Sequence, residues 1–158
     1  MRTAWLLGVA CLLMVVGCKS EQDVVGEVQV LVGLQRTPCF GRCPVYEFSV
    51  LSTGEATLKV ERFCTEAFGR ALEEGMHTAK VDVKAWGEVL AMADSFRFDT
   101  LANRYDNPQV TDLPASIITV RGKTVFNRYG GPDLNELYER IERTIGQTDW
   151  TADPAIAR

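Results

Sequence analysis

Hydrophobic and polar positions change rhythm along this chain, and each rhythm predicts a different element. Ala4 to Val16 runs without a single charge. That stretch falls short of the ~20 apolar residues that span a bilayer and matches the length of a signal-peptide h-region. Val28 to Leu34 is apolar enough for a first strand. Val45 to Leu51 then puts Tyr46, Phe48 and Val50 on one face, and Glu55 to Glu61 puts Ala56, Leu58 and Val60 on one face, because side chains alternate along a strand. Ser52-Thr53-Gly54 between them predicts a β-hairpin with glycine in the left-handed position.

Arg62 to Val81 has no clear period; Glu73-Glu74-Gly75 reads as a turn and Met76 to Val81 as a short strand. Asp82 can cap a helix in which Trp86, Val89, Leu90 and Ala93 share a face, at spacings of three and four. The polar segment Asp99 to Leu113 interrupts the pattern. Ala115 to Arg121 and Thr124 to Tyr129 predict a second hairpin turning on Gly122-Lys123 as type II′. The last helix starts at the cap Asp133, buries Leu134, Leu137, Tyr138, Ile141 and Ile145, and is expected to stop at Gly146. Thr148 to Arg158 reads as a frayed tail from which Trp150 docks back. The fold class expected is α+β: an antiparallel sheet from two β-hairpins plus the N-terminal strand, with two helices packed on one face. One domain, 28–150, is followed by a tail, 151–158.

The N-terminus changes this picture from a plain globular domain to an exported one. Arg2 supplies the only charge before the apolar run, which ends in Val15-Val16-Gly17-Cys18. The tetrapeptide looks like a lipobox, so residues 1–17 are expected to be cleaved and Cys18 to carry lipid. Stable anchoring needs more than one acyl chain, which a multiply acylated Cys18 provides. Lys19, and not Asp, follows the anchor; the outer membrane, facing the periplasm, is the expected location. Residues 18–27 are then a lipidated cysteine and a polar tether that reaches at most ~30 Å.

Charge excludes one large class of partner. Cleavage removes only Arg2 of the 17 basic residues and none of the 21 acidic ones, so no electrostatic footprint for nucleic acid remains. The expected partners are the membrane, through Cys18, and an envelope protein or ligand. No phosphate loop, dinucleotide fingerprint or nucleophile elbow occurs in the sequence, and no cofactor is implied.

Three cysteines remain once Cys11 leaves with the leader and Cys18 takes lipid. Cys39 and Cys43 have three residues between them, with Gly41 at the centre, close enough for a disulfide, and an exported domain sits where disulfides persist. A redox pair usually has two intervening residues and opens a helix, whereas Pro44 and a strand follow here. Cys64 is left odd; it could be free, bond another chain or swap partners. Cys39, Cys43 and Cys64 with His77 could make a scattered zinc site. His77, the only histidine, is expected in a solvated turn beside Gly75. The 99–113 loop gathers Asp99, Arg104, Tyr105, Asp106, Thr111 and Asp112. Tyr105, Asp106, Thr111 and Asp112 are the candidate contact residues. Long loops in compact domains are either functional or mobile, and turns select Asp, Asn and Pro for backbone reasons, so no catalytic residue is assigned.

The string Thr37-Pro38-Cys39-Phe40-Gly41-Arg42-Cys43-Pro44-Val45-Tyr46, with Tyr105, Thr111-Asp112-Leu113-Pro114 and Gly131-Pro132, resembles a family of bacterial lipoproteins known as domain of unknown function 6438. The resemblance covers about Val28 to Trp150 and implies a small exported domain without assigning an activity. Cys64 lies outside its pattern. The sequence thus leads to a lipid-anchored envelope protein that binds or supports a partner and is not an enzyme. Two other readings stand beside it: a thiol-disulfide or metal protein using Cys39, Cys43 and Cys64, and a hydrolase or enzyme inhibitor acting through the 99–113 loop.

Overall fold

The computed structural model of the chain describes residues 27–153. The expected leader, Cys18 and most of the expected tether, like residues 154–158, lie outside the described residues. Among those described, no helix is long and apolar enough to cross a membrane.

One sheet organises everything else. Its strands are β1 (Val30–Arg36), β2 (Val45–Leu51), β3 (Glu55–Arg62), β4 (Gly75–Lys80), β5 (Arg104–Tyr105), β6 (Ser116–Val120), β7 (Lys123–Asn127) and β8 (Thr151–Ala152). They lie in the order β5-β7-β6-β1-β2-β3-β4-β8, and every pairing is antiparallel except β5 with β7. The helices are α1 (Thr65–Phe68), α2 (Gly87–Ser95) and α3 (Asn135–Gln147). The expected α+β class holds in its coarse form, but the sheet has eight strands where two hairpins and an N-terminal strand would give five. β5 and β8 have two residues each, too few for an alternation to register. The tail expected to fray returns to pair Thr151 with Thr78 and Ala152 with His77.

The alternation that predicts the first hairpin also builds the core. Tyr46, Phe48, Val50, Ala56, Leu58 and Val60 are buried with Val32, Leu34, Ile118, Val120 and Val125. Trp86 stacks on Phe48 at 5.0 Å, Trp150 meets the same ring edge-on at 6.2 Å, and Phe68 of α1 meets Tyr46 at 4.9 Å. Phe68, Leu137, Tyr138, Ile141 and Ile145 complete that cluster from the helices. Hydroxyl pairs, Ser49 with Thr57 at 3.0 Å and Thr119 with Thr124 at 2.8 Å, link exposed positions that alternate with the buried ones.

Three local expectations need correction. The second hairpin turns on Arg121-Gly122, one residue earlier than expected, since Val120 pairs with Lys123. Both turn residues have positive φ, 47° and 79°, which is the type I′ form that matches strand twist. The last helix starts one residue later than expected: Leu134 is its N-cap, Asp133 precedes it and accepts from the Asn135 N–H at 3.0 Å, and Gly146 does not end it. α3 continues to Gln147, and a Cβ at Gly146 would collide with the Phe68 carbonyl oxygen. That glycine allows α1 to approach α3. Finally, His77 sits in β4 and is 4% exposed, its Nε2 2.8 Å from the Glu73 carbonyl oxygen. The solvated turn ends just before it.

Candidate functional site

The chain enters β1 at Val30 and leaves it at Arg36 into the stapled loop. At the entry end, Gln29 accepts from the Ser52 N–H at 2.8 Å and Val30 from the Gly122 N–H at 2.9 Å. At the other end β1 runs into Thr37-Pro38, and Cys39 is joined to Cys43 by a disulfide with Cα atoms 5.8 Å apart. The Gly41 N–H points at Cys39 Sγ, 3.2 Å away, so the three-residue loop curls over its own bridge.

Two other segments close on this loop. Thr37 donates its N–H to the Ala115 carbonyl at 3.0 Å, and Thr37 Oγ1 accepts from the Ala115 N–H at 2.7 Å. This exchange fixes the Thr111-to-Pro114 segment beside the staple. A hollow of about 240 Å³ between them is lined by Pro38, Cys39, Phe40, Thr111 and Asp112. On the other side, the Val45 to Arg62 and Tyr46 to Val60 pairings leave Glu61 without a counterpart. Such a bulge bends a strand and re-aims its side chains. Phe63 follows at φ 57°, a conformation that costs a bulky residue of order 1–3 kcal/mol. The Arg42 and Arg62 guanidiniums lie 5.2 and 5.7 Å from the Phe63 ring centre.

The apolar surface exposed here is unusual in kind. Phe40 is 94% exposed and Phe63 43%. Burying a phenylalanine is worth about 1.5–3 kcal/mol, so the fold leaves that stabilisation unused at the tip of a loop it has covalently constrained.

The four candidate contact residues divide. Thr111 and Asp112 line the hollow beside Phe40. Tyr105 and Asp106 do not join them. Tyr105 pairs with Asn127 in the sheet, and its hydroxyl accepts from the Ala102 N–H at 3.0 Å. Asp106 receives Arg128 Nε at 2.6 Å and Arg104 Nη2 at 2.5 Å. Burial pushes its carboxyl up, but the bonds from Arg128 and Arg104 outweigh that and hold it below the ordinary carboxylate range. A carboxylate held by two arginines is a structural tie and a poor general base.

The thiol and zinc readings fare no better on geometry. Cys39 and Cys43 are spent on each other. Cys64 is buried, its thiol donating to the Val45 and Arg62 carbonyls at 3.3 and 3.2 Å. Burial pushes that thiol up from its ordinary value, against the thiolate that exchange chemistry needs. Among the described residues, no three His, Cys, Asp or Glu side chains converge to hold a metal.

Behind the exposed end lies a polar cluster that sequence reasoning missed. Glu142 of α3, 6% exposed, accepts from Tyr46 Oη at 2.7 Å and Arg36 Nε at 3.1 Å. Arg36 also donates to Ser116 Oγ at 2.6 Å and lies 4.7 Å over the Tyr138 ring. Asn127 Nδ2 reaches both Tyr138 Oη, at 3.2 Å, and the Pro132 carbonyl, at 3.0 Å. The signal was there: Glu142 falls four residues after Tyr138 and three before Ile145, within the stripe that α3 turns to the sheet.

These features define a mixed α+β domain whose mostly antiparallel sheet carries a stapled aromatic loop at one end. The model of the family called domain of unknown function 6438 (DUF6438) matches residues 30–145, and the chain belongs to that family. Neither curated proteins nor solved structures yield a match.

Proposed function

We propose that the chain is a lipid-anchored protein of the bacterial cell envelope and that its domain is a binding module whose contact surface is the stapled loop. The observation that carries the second half is Phe40, 94% exposed on a loop closed by the Cys39–Cys43 bridge. A rigid, exposed aromatic loses little conformational entropy on association, and aromatics anchor interface hot spots. The first half rests on Val15-Val16-Gly17-Cys18, with the outer membrane, periplasmic side, as the site of anchoring. An acid–base or metal-dependent activity has weaker support, because Asp106 is held by Arg104 and Arg128 and His77 is buried against a backbone carbonyl.

Both halves are testable in cells making the full chain. Labelled palmitate should enter the wild type, and Cys18→Ser should lose the label and move to the soluble fraction. An unlabelled wild type would end the anchoring proposal. A photo-cross-linking residue at position 40 should give discrete adducts that the same residue at exposed Thr57, on the sheet, does not. No adduct from position 40 would end the binding proposal.

A further inference from the structure

We infer that the stapled end of the sheet recognises an acidic peptide segment of its partner, with a carboxylate taken by Arg42 and Arg62 and a neighbouring apolar side chain laid against Phe40 and Phe63. The inference rests on the binding-module reading and adds the chemistry of what is bound.

Charge carries the argument. Arg42 comes from the stapled loop and Arg62 from the bulged end of β3, yet both guanidiniums lie within 6 Å of the one Phe63 ring, at 5.2 and 5.7 Å. Both are exposed, and among the described residues neither has a carboxylate within ion-pair distance. Arg36, Arg104, Arg121, Arg128 and Arg140 each do. An acidic chain has carboxylates to spare, so two like charges gathered over one ring and left unpaired favour an anion from outside. A ring face held under a guanidinium leaves the planar N–H edge free, and that edge matches a carboxylate in bidentate fashion.

The surroundings select a peptide. A hollow of about 220 Å³ opens between Arg42, Phe63, Thr65 and Glu66, and on the far side of the loop Phe40 borders a second one with Asp112. Arginine with exposed aromatics is the composition of protein interface centres. Glu66 beside Arg42 and Asp112 beside Phe40 would repel a misplaced acidic group, so they set the register of the bound segment. Phe63 is held at φ 57°, which keeps its ring at the surface under both cations.

The test uses the full-length, lipid-modified protein in phospholipid nanodiscs, against random peptides displayed on phage. Enriched sequences should place Asp or Glu next to a bulky apolar residue. The best peptide, titrated against variants, should bind Arg42→Glu/Arg62→Glu at least about tenfold more weakly, the usual size of a hot-spot loss. Lys84→Glu/Arg97→Glu, an equal charge change at two exposed sites, should stay within about twofold, and wild-type affinity should fall with salt. Both arginines are exposed, so matching thermal melts would show that the double variant folds. Neutral or basic enriched sequences, no enrichment, unchanged affinity in the double variant, or binding only to isolated peptidoglycan would each overturn the inference. The two readings separate cleanly: adducts from position 40 without acidic selectivity would sink this inference alone, and absence of adducts would sink both.

Discussion

At the residue scale the most consequential side chain is Glu142, because it joins the last helix to two strands. Its Oε1 accepts from Tyr46 of β2 and Arg36 of β1, and Arg36 carries the link to Ser116 of β6. A pair of charges mostly out of water contributes little net stability while intact, but removing one partner strands the other. Glu142→Ala should therefore cost about 3 kcal/mol, the low end of the range for such losses because Arg36 keeps some exposure. Glu142→Leu with Arg36→Met should recover much of that, and urea unfolding of the three proteins would show it. A double variant as weak as the single would mean the loss is packing. Tyr46 adds a pH signature. Burial, and then the Glu142 charge, push its phenol well above 10.0, with Arg36 pulling the other way. The unfolded chain releases that proton near pH 10 while the native state keeps it, so stability is fully present below about pH 10 and falls as pH rises beyond it. Tyr138 and Cys64 are shifted up by burial in the same sense. Tyr46→Phe should make the alkaline fall of the urea midpoint shallower; an unchanged slope would mean that Tyr46 is not its source.

At the element scale, what could be read in the sequence was what repeats. β2, β3 and α3 announce themselves because their buried positions recur at two or at three and four residues. The four residues of α1 and the two each of β5 and β8 contain no full period, and only tertiary pairing makes them elements. Glycines show the same division. Gly87 and Gly146 both look like weak points in helices, yet their surroundings differ. Nothing lies within 4 Å of a Cβ built on Gly87, at φ −55°, whereas one on Gly146 meets the Phe68 backbone. Gly87→Ala should raise stability by roughly 0.4–1 kcal/mol by narrowing the unfolded ensemble. Gly146→Ala should lower it by about 1–3 kcal/mol, since overpacking outweighs the gain in helix propensity. Thermal melts moving in opposite directions would bear this out; two upward shifts would mean α1 yields at little cost.

At the scale of the whole molecule, the candidate surface was half legible. The Cys39-to-Cys43 string marks itself by composition, and Thr111 and Asp112 join it because Thr37 and Ala115 exchange hydrogen bonds. Nothing local in the sequence says that Tyr105 and Asp106 are drawn away to the sheet edge and to Arg128, or that Phe63 comes to lie beneath Arg42. Those are consequences of strand order. The same order gives the molecule a direction. β1 rises about 20 Å from Val30 to Arg36, and the tether enters at its first residue while the stapled loop leaves from its last. If Cys18 is in the membrane, the loop is carried at the end of the domain remote from the anchor, and its reach is that strand plus a tether of at most ~30 Å. Deleting residues 20–26 should therefore leave the thermal melt unchanged, because the sheet begins at Val30, while reducing cross-links from position 40 to any partner fixed beyond the membrane surface. Replacing the same residues with a longer glycine-serine linker should restore them, since such a chain spans about 5–6 Å times the square root of its length. Cross-linking indifferent to tether length would place the partner in the same membrane plane as the anchor and turn the stapled loop sideways along it.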